Sequence, residues 1–127
     1  MKADRDYVAR NFKNGQQLLF NTEFLEGIFQ KYKELHCEFC NKKLELIYWY
    51  ENTGRNQKMA TADHFFPKSL NKELLAFNHK NMVVACSSCN TNKDNKIIPI
   101  DDIKYPYPNT IDNLKQVKNT YNENLKS

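Results

Sequence analysis

All four cysteines of this chain fall into two C-x2-C pairs, Cys37/Cys40 and Cys86/Cys89, and no thiol is left over. In such a pair two thiolates from one tight turn approach a single ion, and two turns complete a tetrahedral four-thiolate site with no open position. Closed coordination of this kind makes the expected Zn²⁺ structural, and it draws the second turn against whatever lies between the pairs. The competing readings are two disulfides or four unligated thiols. An intracellular chain disfavours the first, and the matched spacing disfavours the second.

The intracellular expectation comes from the N-terminus. The stretch "MKADRDYVARNFKNGQQ" has no apolar segment of signal-peptide type, and no window approaches the ~18–20 apolar residues of a membrane span. The reading is a soluble, cytoplasmic protein with no membrane partner. At 127 residues it has the size of one modest domain, which buries only roughly two thirds of its unfolded surface, so a structural metal adds useful stability. The formal charge of +4 is mildly basic, and four thiolates on one Zn²⁺ would carry about −2 of their own. Affinity for a polyanion must therefore come from where the lysines sit.

Along the chain, residues 1–20 are polar and read as an arm or lead-in helix. Residues 21–36 place Phe24, Leu25, Ile28, Phe29, Tyr32 and Leu35 at helical spacing, with Asn21 or Thr22 as cap. After Cys37 and Cys40, the β-branched and aromatic run "KLELIYWY" (43–50) favours a strand. With the polar turn 51–57 and the run 58–66 it reads as a hairpin that Pro67 stops. A helical turn is expected within 71–77, an extended run over 81–86, and a short helix after Cys89. The prolines of 97–110 indicate a loop over the core. Residues 110–125 set Ile111, Leu114, Val117, Tyr121 and Leu125 on one side of a closing helix that Thr110 can cap.

The insert between the cysteine pairs carries chemistry beyond a zinc clamp. Asp63 adjoins His64, one of only three histidines, just before Pro67. An Asp-His pair alone is most often an ordinary surface feature, and neighbours on a strand point to opposite faces unless the strand ends or bulges there. Two further residues raise its interest. Asn90 and Lys93, three apart on the helix after Cys89, share a face that metal closure would bring towards Asp63 and His64.

In this order, C-x2-C, then "DHFFPKS" (63–69), then "NMVVACSSCNTNK" (81–93), the chain resembles the HNH endonucleases, the ββα-metal or His-Me finger nucleases. The resemblance covers residues 37–93 and only loosely the flanking helices. It implies an α+β fold: a small ββα-metal core (37–96) stapled by the zinc site, with N- and C-terminal helices around it in a single domain of residues 1–127. By the same resemblance His64 is the general base, Asp63 and Asn90 hold a catalytic Mg²⁺ or Mn²⁺, Asn81 holds the loop and orients the histidine, and Lys93 lies near the substrate phosphate. Asn90 stands where the family name has its last histidine, making this an HNN variant. The implied activity is hydrolysis of DNA phosphodiesters to 5′-phosphate and 3′-hydroxyl ends. The site chemistry leaves RNA open as the polymer.

The roles suit the residue types. A histidine titrates near neutrality and can take a proton from water, and carboxylate and amide oxygens suit hard cations such as Mg²⁺. One departure is the stretch "LNKELL" (70–75), which replaces a glycine pair common in relatives and gives that loop its own path. The alternative function is a non-catalytic zinc ribbon that binds nucleic acid or a partner protein, for which the set Asp63, His64, Asn81 and Asn90 has no use. His36 and His79 read as structural or surface residues. Tyr48, Trp49 and Tyr50 are packing residues or base-stacking platforms. Lysines 42, 43, 58, 68, 80, 93 and 96 form either a phosphate-binding surface or a solvated face.

Overall fold

A computed structural model describes residues 15–48 and 57–126, with side chains described through Asn122. The elements in chain order are α1 (Gly15–Tyr32), β1 (Leu35–His36), β2 (Lys43–Leu44), β3 (Thr61–His64), α2 (Lys72–Leu75), β4 (Met82–Ala85), α3 (Ser87–Lys93) and α4 (Thr110–Lys126). Short 3₁₀ turns occupy Lys68–Leu70, His79–Asn81 and Ile100–Asp102. The described residues thus form an α+β structure with two small antiparallel sheets, β1–β2 and β3–β4.

The first sheet presents the first cysteine pair. Leu35 faces Leu44 and His36 faces Lys43 in register, and the chain between the strands makes a tight knuckle. Asn41 N–H donates to the Cys37 carbonyl (2.8 Å) and Cys37 N–H to the Lys42 carbonyl (2.9 Å). The knuckle turns through Asn41 at φ 65°, a left-handed conformation that asparagine tolerates better than most residues.

The hairpin expected from 43–50 and 58–66 does not form among the described residues. Thr61–His64 pairs instead with Met82–Ala85, with His64 opposite Met82 and Thr61 opposite Ala85. Residues 43–45 and 58–60 share only a parallel bridge at Glu45 and Met59. The reason lies in burial. All four residues of β4 are buried, so β4 must be covered on both faces, and β3 satisfies its backbone as the neighbouring strand. Trp49, Tyr50 and most of the 51–57 turn lie outside the described residues, as does most of the expected 1–20 arm.

The helix expected over 21–36 begins earlier, at Gly15, and ends at Tyr32. Asn21 and Thr22 are interior rather than caps, and the Thr22 hydroxyl is satisfied by the Leu18 carbonyl one turn back (2.9 Å). Lys33 at φ 62° ends the helix, its N–H closing onto the Phe29 carbonyl (2.8 Å), and Leu35 joins β1. The closing helix runs from Thr110 as expected, burying Leu114 and Val117.

β4 lies between two apolar clusters. Val84 belongs to the first, with Leu25, Leu35, Leu44 and Tyr107, which α1 and the knuckle sheet cover. Val83 belongs to the second, with Phe65, Ile103 and Leu114, which α4 and the proline-rich segment cover. Neighbouring residues of one strand feed opposite faces, which explains why the run 82–85 is apolar throughout rather than alternating.

Glu38, inside the first C-x2-C, ties these parts together. It is 1% exposed, and its carboxylate accepts from Val84 N–H (2.7 Å), Tyr107 N–H (3.0 Å) and the Thr110 hydroxyl. Its own backbone pairs with the Val84 carbonyl and Tyr105 N–H. One buried carboxylate therefore joins knuckle, β4 and the start of α4. Nothing in the local sequence around Cys37 signals this, because its three side-chain donors lie far along the chain.

Candidate functional site

The four cysteine Sγ atoms lie within 4.8 Å of one another, and all four thiols are free. Cys40 and Cys86 Sγ are 3.8 Å apart. Four sulfurs about 2.3 Å from a tetrahedral Zn²⁺ are about 3.8 Å apart, whereas a disulfide needs about 2.05 Å. The cluster therefore fits a closed metal site, such as one for zinc. Cys86 also caps α3, its Sγ accepting from Cys89 N–H at 3.4 Å. Burial pushes the Cys37 and Cys89 thiols up, and for Cys89 the neighbouring thiols add to this. Four thiols this close cannot all ionise without a cation to hold them.

Closure of the two pairs sets α3 across β3. Thr61 and Asp63 lie two apart on one face of β3, and Asn90 and Lys93 lie three apart on the facing side of α3. They meet as two rungs. Asn90 Nδ2 donates to Thr61 Oγ1 (3.0 Å), and Lys93 Nζ stands 3.9 Å from Asp63 Oδ2.

The first rung decides which way the Asn90 amide points. The Thr61 hydroxyl gives its only hydrogen to the Ala85 carbonyl (2.7 Å), so towards Asn90 it can only accept. Asn90 must present its NH₂ there, and the residue also lines the cleft. Sequence reading missed Thr61, since only the register of β3 against β4 puts its hydroxyl on Ala85.

The cleft measures about 510 Å³ and is bounded by Asp63, His64, Pro67, Lys68, Asn90, Thr91, Asp94 and Asn95. Asp63 and His64 share it because β3 ends at His64, which frees the second residue from strict strand alternation. Asp94, one turn beyond Asn90, enters the wall from a left-handed backbone position at φ 50°.

Asp63 is 7% exposed, and among the described residues its Oδ2 has no hydrogen-bond donor. Burial raises its pKa to about 6, against the pull of Lys93. Lys93 is lowered, again by burial first, against Asp63 and Asp94. Desolvation thus outweighs mutual attraction for both partners. A buried carboxyl with an unsatisfied oxygen is chemically suited to a hard cation.

His64 has its tautomer set by its surroundings. Nε2 lies 2.9 Å from the Ala76 carbonyl, and a carbonyl only accepts, so Nε2 carries the hydrogen and the neutral ring keeps its lone pair on Nδ1. Burial lowers the His64 pKa, the Ala76 bond opposes this, and the charges of Lys68 and Lys93 add to the lowering. At neutral pH the ring is therefore an unprotonated base.

Asn81 is fully buried and spends its side chain on the loop that carries these residues. Its Oδ1 accepts from Phe66 N–H (3.0 Å), and its Nδ2 donates to the Phe66 and Leu75 carbonyls (3.0 and 3.2 Å). It clamps the chain just after His64 to the end of α2, immediately before the Ala76 carbonyl that orients the imidazole. Lys93 is 6% exposed, and its ammonium donates to the His64 carbonyl at 2.9 Å. It is not a cleft-wall residue; the lysine at the wall is Lys68.

The remaining candidates have other duties. His36 stacks on Tyr107 (4.4 Å) with Nε2 3.1 Å from the Tyr105 carbonyl, a structural role. His79 is exposed, away from the cleft. The Tyr48 hydroxyl donates to Glu26 (3.0 Å), and Lys80 Nζ donates to Gln116 (2.8 Å). No helix among the described residues is long and apolar enough to cross a membrane.

Compared with known proteins, the chain matches no family model, no curated protein and no solved structure.

Proposed function

We propose that this chain is a metal-dependent endonuclease of HNH type that hydrolyses DNA phosphodiester bonds, stapled by Zn²⁺ on Cys37, Cys40, Cys86 and Cys89. The observation that carries the reading is that one cleft gathers a neutral histidine base, a buried carboxyl with an oxygen lacking a donor, and Asn90, whose amide NH₂ is taken up by Thr61. A binding module has no reason to maintain a desolvated carboxyl at that position.

Asp63 and Asn90 would hold the Mg²⁺- or Mn²⁺-type ion. When bound, that ion offsets negative charge developing on the phosphate and leaving oxygen. His64 takes the proton of the attacking water at Nδ1 while its Nε2–H remains on the Ala76 carbonyl, which stops the ring from turning away. Asn81 keeps that carbonyl and the chain after His64 in fixed relation. Lys93 contributes from behind the site, holding the His64 carbonyl and countering the Asp63 charge, and Lys68 at the cleft wall is the cation that meets a phosphate.

The test is incubation of purified protein and His64→Ala with plasmid DNA in Mg²⁺, Mn²⁺ or EDTA. The expected result is divalent-dependent cleavage by the wild type alone. Cleavage that persists in His64→Ala refutes the assigned base. Elemental analysis of protein purified without chelator is expected to return one zinc per chain.

A further inference from the structure

We infer that the face formed by residues 67–77 and the start of α1 binds an unpaired DNA strand leading into the cleft, with phosphates on Lys68 and Lys72 and a base stacked on Phe77. This rests on the nuclease reading for the identity of the polymer.

A second groove, about 470 Å³, adjoins the first and is walled by Lys68, Lys72, Glu73, Ala76 and Phe77 with Gln16 and Gln17 of α1. Lys68 belongs to both walls, so one phosphate-binding side chain serves the groove and the cleft that His64 lines. The two are also joined by backbone. The Ala76 carbonyl that fixes His64 Nε2 also accepts from Gln17 Nε2 (3.0 Å), which anchors the groove floor to α1.

Phe77 is the feature without an internal explanation. It is 56% exposed and meets Phe20 edge-on at 5.5 Å and 82°. That contact holds the ring while leaving most of it in water, where apolar area is unfavourable by roughly 25 cal/mol per Å² until something covers it. Lys68 and Lys72 against Glu73 leave the groove net positive. A ring face beside paired ammonium groups is complementary to a nucleobase and its flanking phosphates. A duplex stacks its bases on one another and offers Phe77 only backbone, so the ring selects an unpaired stretch.

The experiment measures binding of a labelled deoxythymidine homopolymer, and of its duplex with deoxyadenosine, by fluorescence anisotropy without divalent cations. The proteins are wild type, Phe77→Ala, Phe77→Leu, which keeps apolar packing on Phe20, and the double variant Lys68→Gln/Lys72→Gln. Both Phe77 variants are expected to weaken single-strand binding about tenfold, with duplex binding unchanged. The double lysine variant is expected to lower the single-strand salt slope by roughly 1.4. Unchanged single-strand affinity in Phe77→Leu, or an equal loss on duplex, overturns the inference. Plasmid cleavage is scored separately. Single-strand binding lost in the Phe77 variants, with no cleavage by wild type, retires the nuclease reading and keeps the surface. Cleavage with Phe77-independent binding does the reverse.

Discussion

Replacing Asp63 by Asn should stabilise the protein at neutral pH in the absence of a divalent cation, because the carboxyl is held where its charge is unwelcome. Its folded pKa of about 6 stands above an ordinary value of 3.8. Between those values the folded state keeps a proton that the unfolded chain has released, so stability falls as pH rises through that window and the deficit is complete above about pH 6. A difference of about 2 units at 1.36 kcal/mol each is worth ~3 kcal/mol. The amide in the variant leaves Lys93 without its acidic neighbour, which offsets part of this, so the expected gain at pH 7 is about 1–2 kcal/mol. Urea unfolding of both proteins from pH 4 to 8, in chelator-free buffer, measures it. Protonation of the cysteine cluster is common to the pair and cancels in the difference, which should be near zero at pH 4 and grow to its plateau by about pH 6–7. Mg²⁺ should then raise the stability of the wild type and leave Asp63→Asn unmoved. A pH-independent difference, or a variant less stable at pH 7, refutes the claim that burial outweighs the pull of Lys93 on the Asp63 charge.

Three other outcomes follow from the geometry. Glu38→Gln puts an NH₂ against donors that need an acceptor, so it should cost on the order of 2–3 kcal/mol by urea or thermal unfolding; an unaltered midpoint shows that the three-way carboxylate junction is dispensable. Thr61→Val removes both the hydroxyl that holds the Asn90 amide and its bond to Ala85, and should weaken Mg²⁺ binding by calorimetry roughly 10-fold, with Thr61→Ser restoring it. The pH profile of cleavage should rise through an apparent pKa below 6.5, in the direction burial moves His64, and be flat above neutrality; a midpoint above 6.5 assigns the titration to another group.

The readings that held are those resting on local pattern. The two C-x2-C spacings anticipated four sulfurs in one cluster, because two residues between cysteines is a property of one turn. The extended run before Cys86 and the closing helix from Thr110 were legible for the same reason, since periodicity and flanking residues act within a few positions, while the short helix expected after Cys89 begins earlier, at Ser87. The hairpin misreading shows the limit. Residues 43–50 and 58–66 have strand composition and a turn between them, yet the partner of Thr61–His64 is Met82–Ala85. Strand composition says that a segment needs a neighbour, and burial on both sides of β4 decides which one.

The candidate site divides along the same line. By itself the sequence determined the inventory: four cysteines at metal spacing, an Asp-His pair before a proline, and two asparagines and a lysine in a fixed order. Tertiary structure alone decided what each inventory member can do. Thr61 takes the Asn90 NH₂ because the Ala85 carbonyl takes its own hydrogen, and His64 offers Nδ1 because the Ala76 carbonyl claims Nε2. Lys93 turns inward to the His64 carbonyl, and Asp63 is left with an oxygen lacking a donor. The physical reason is that a side chain's role follows from which hydrogen-bonding partners remain after the backbone has paired, and those partners come from segments far apart in the chain.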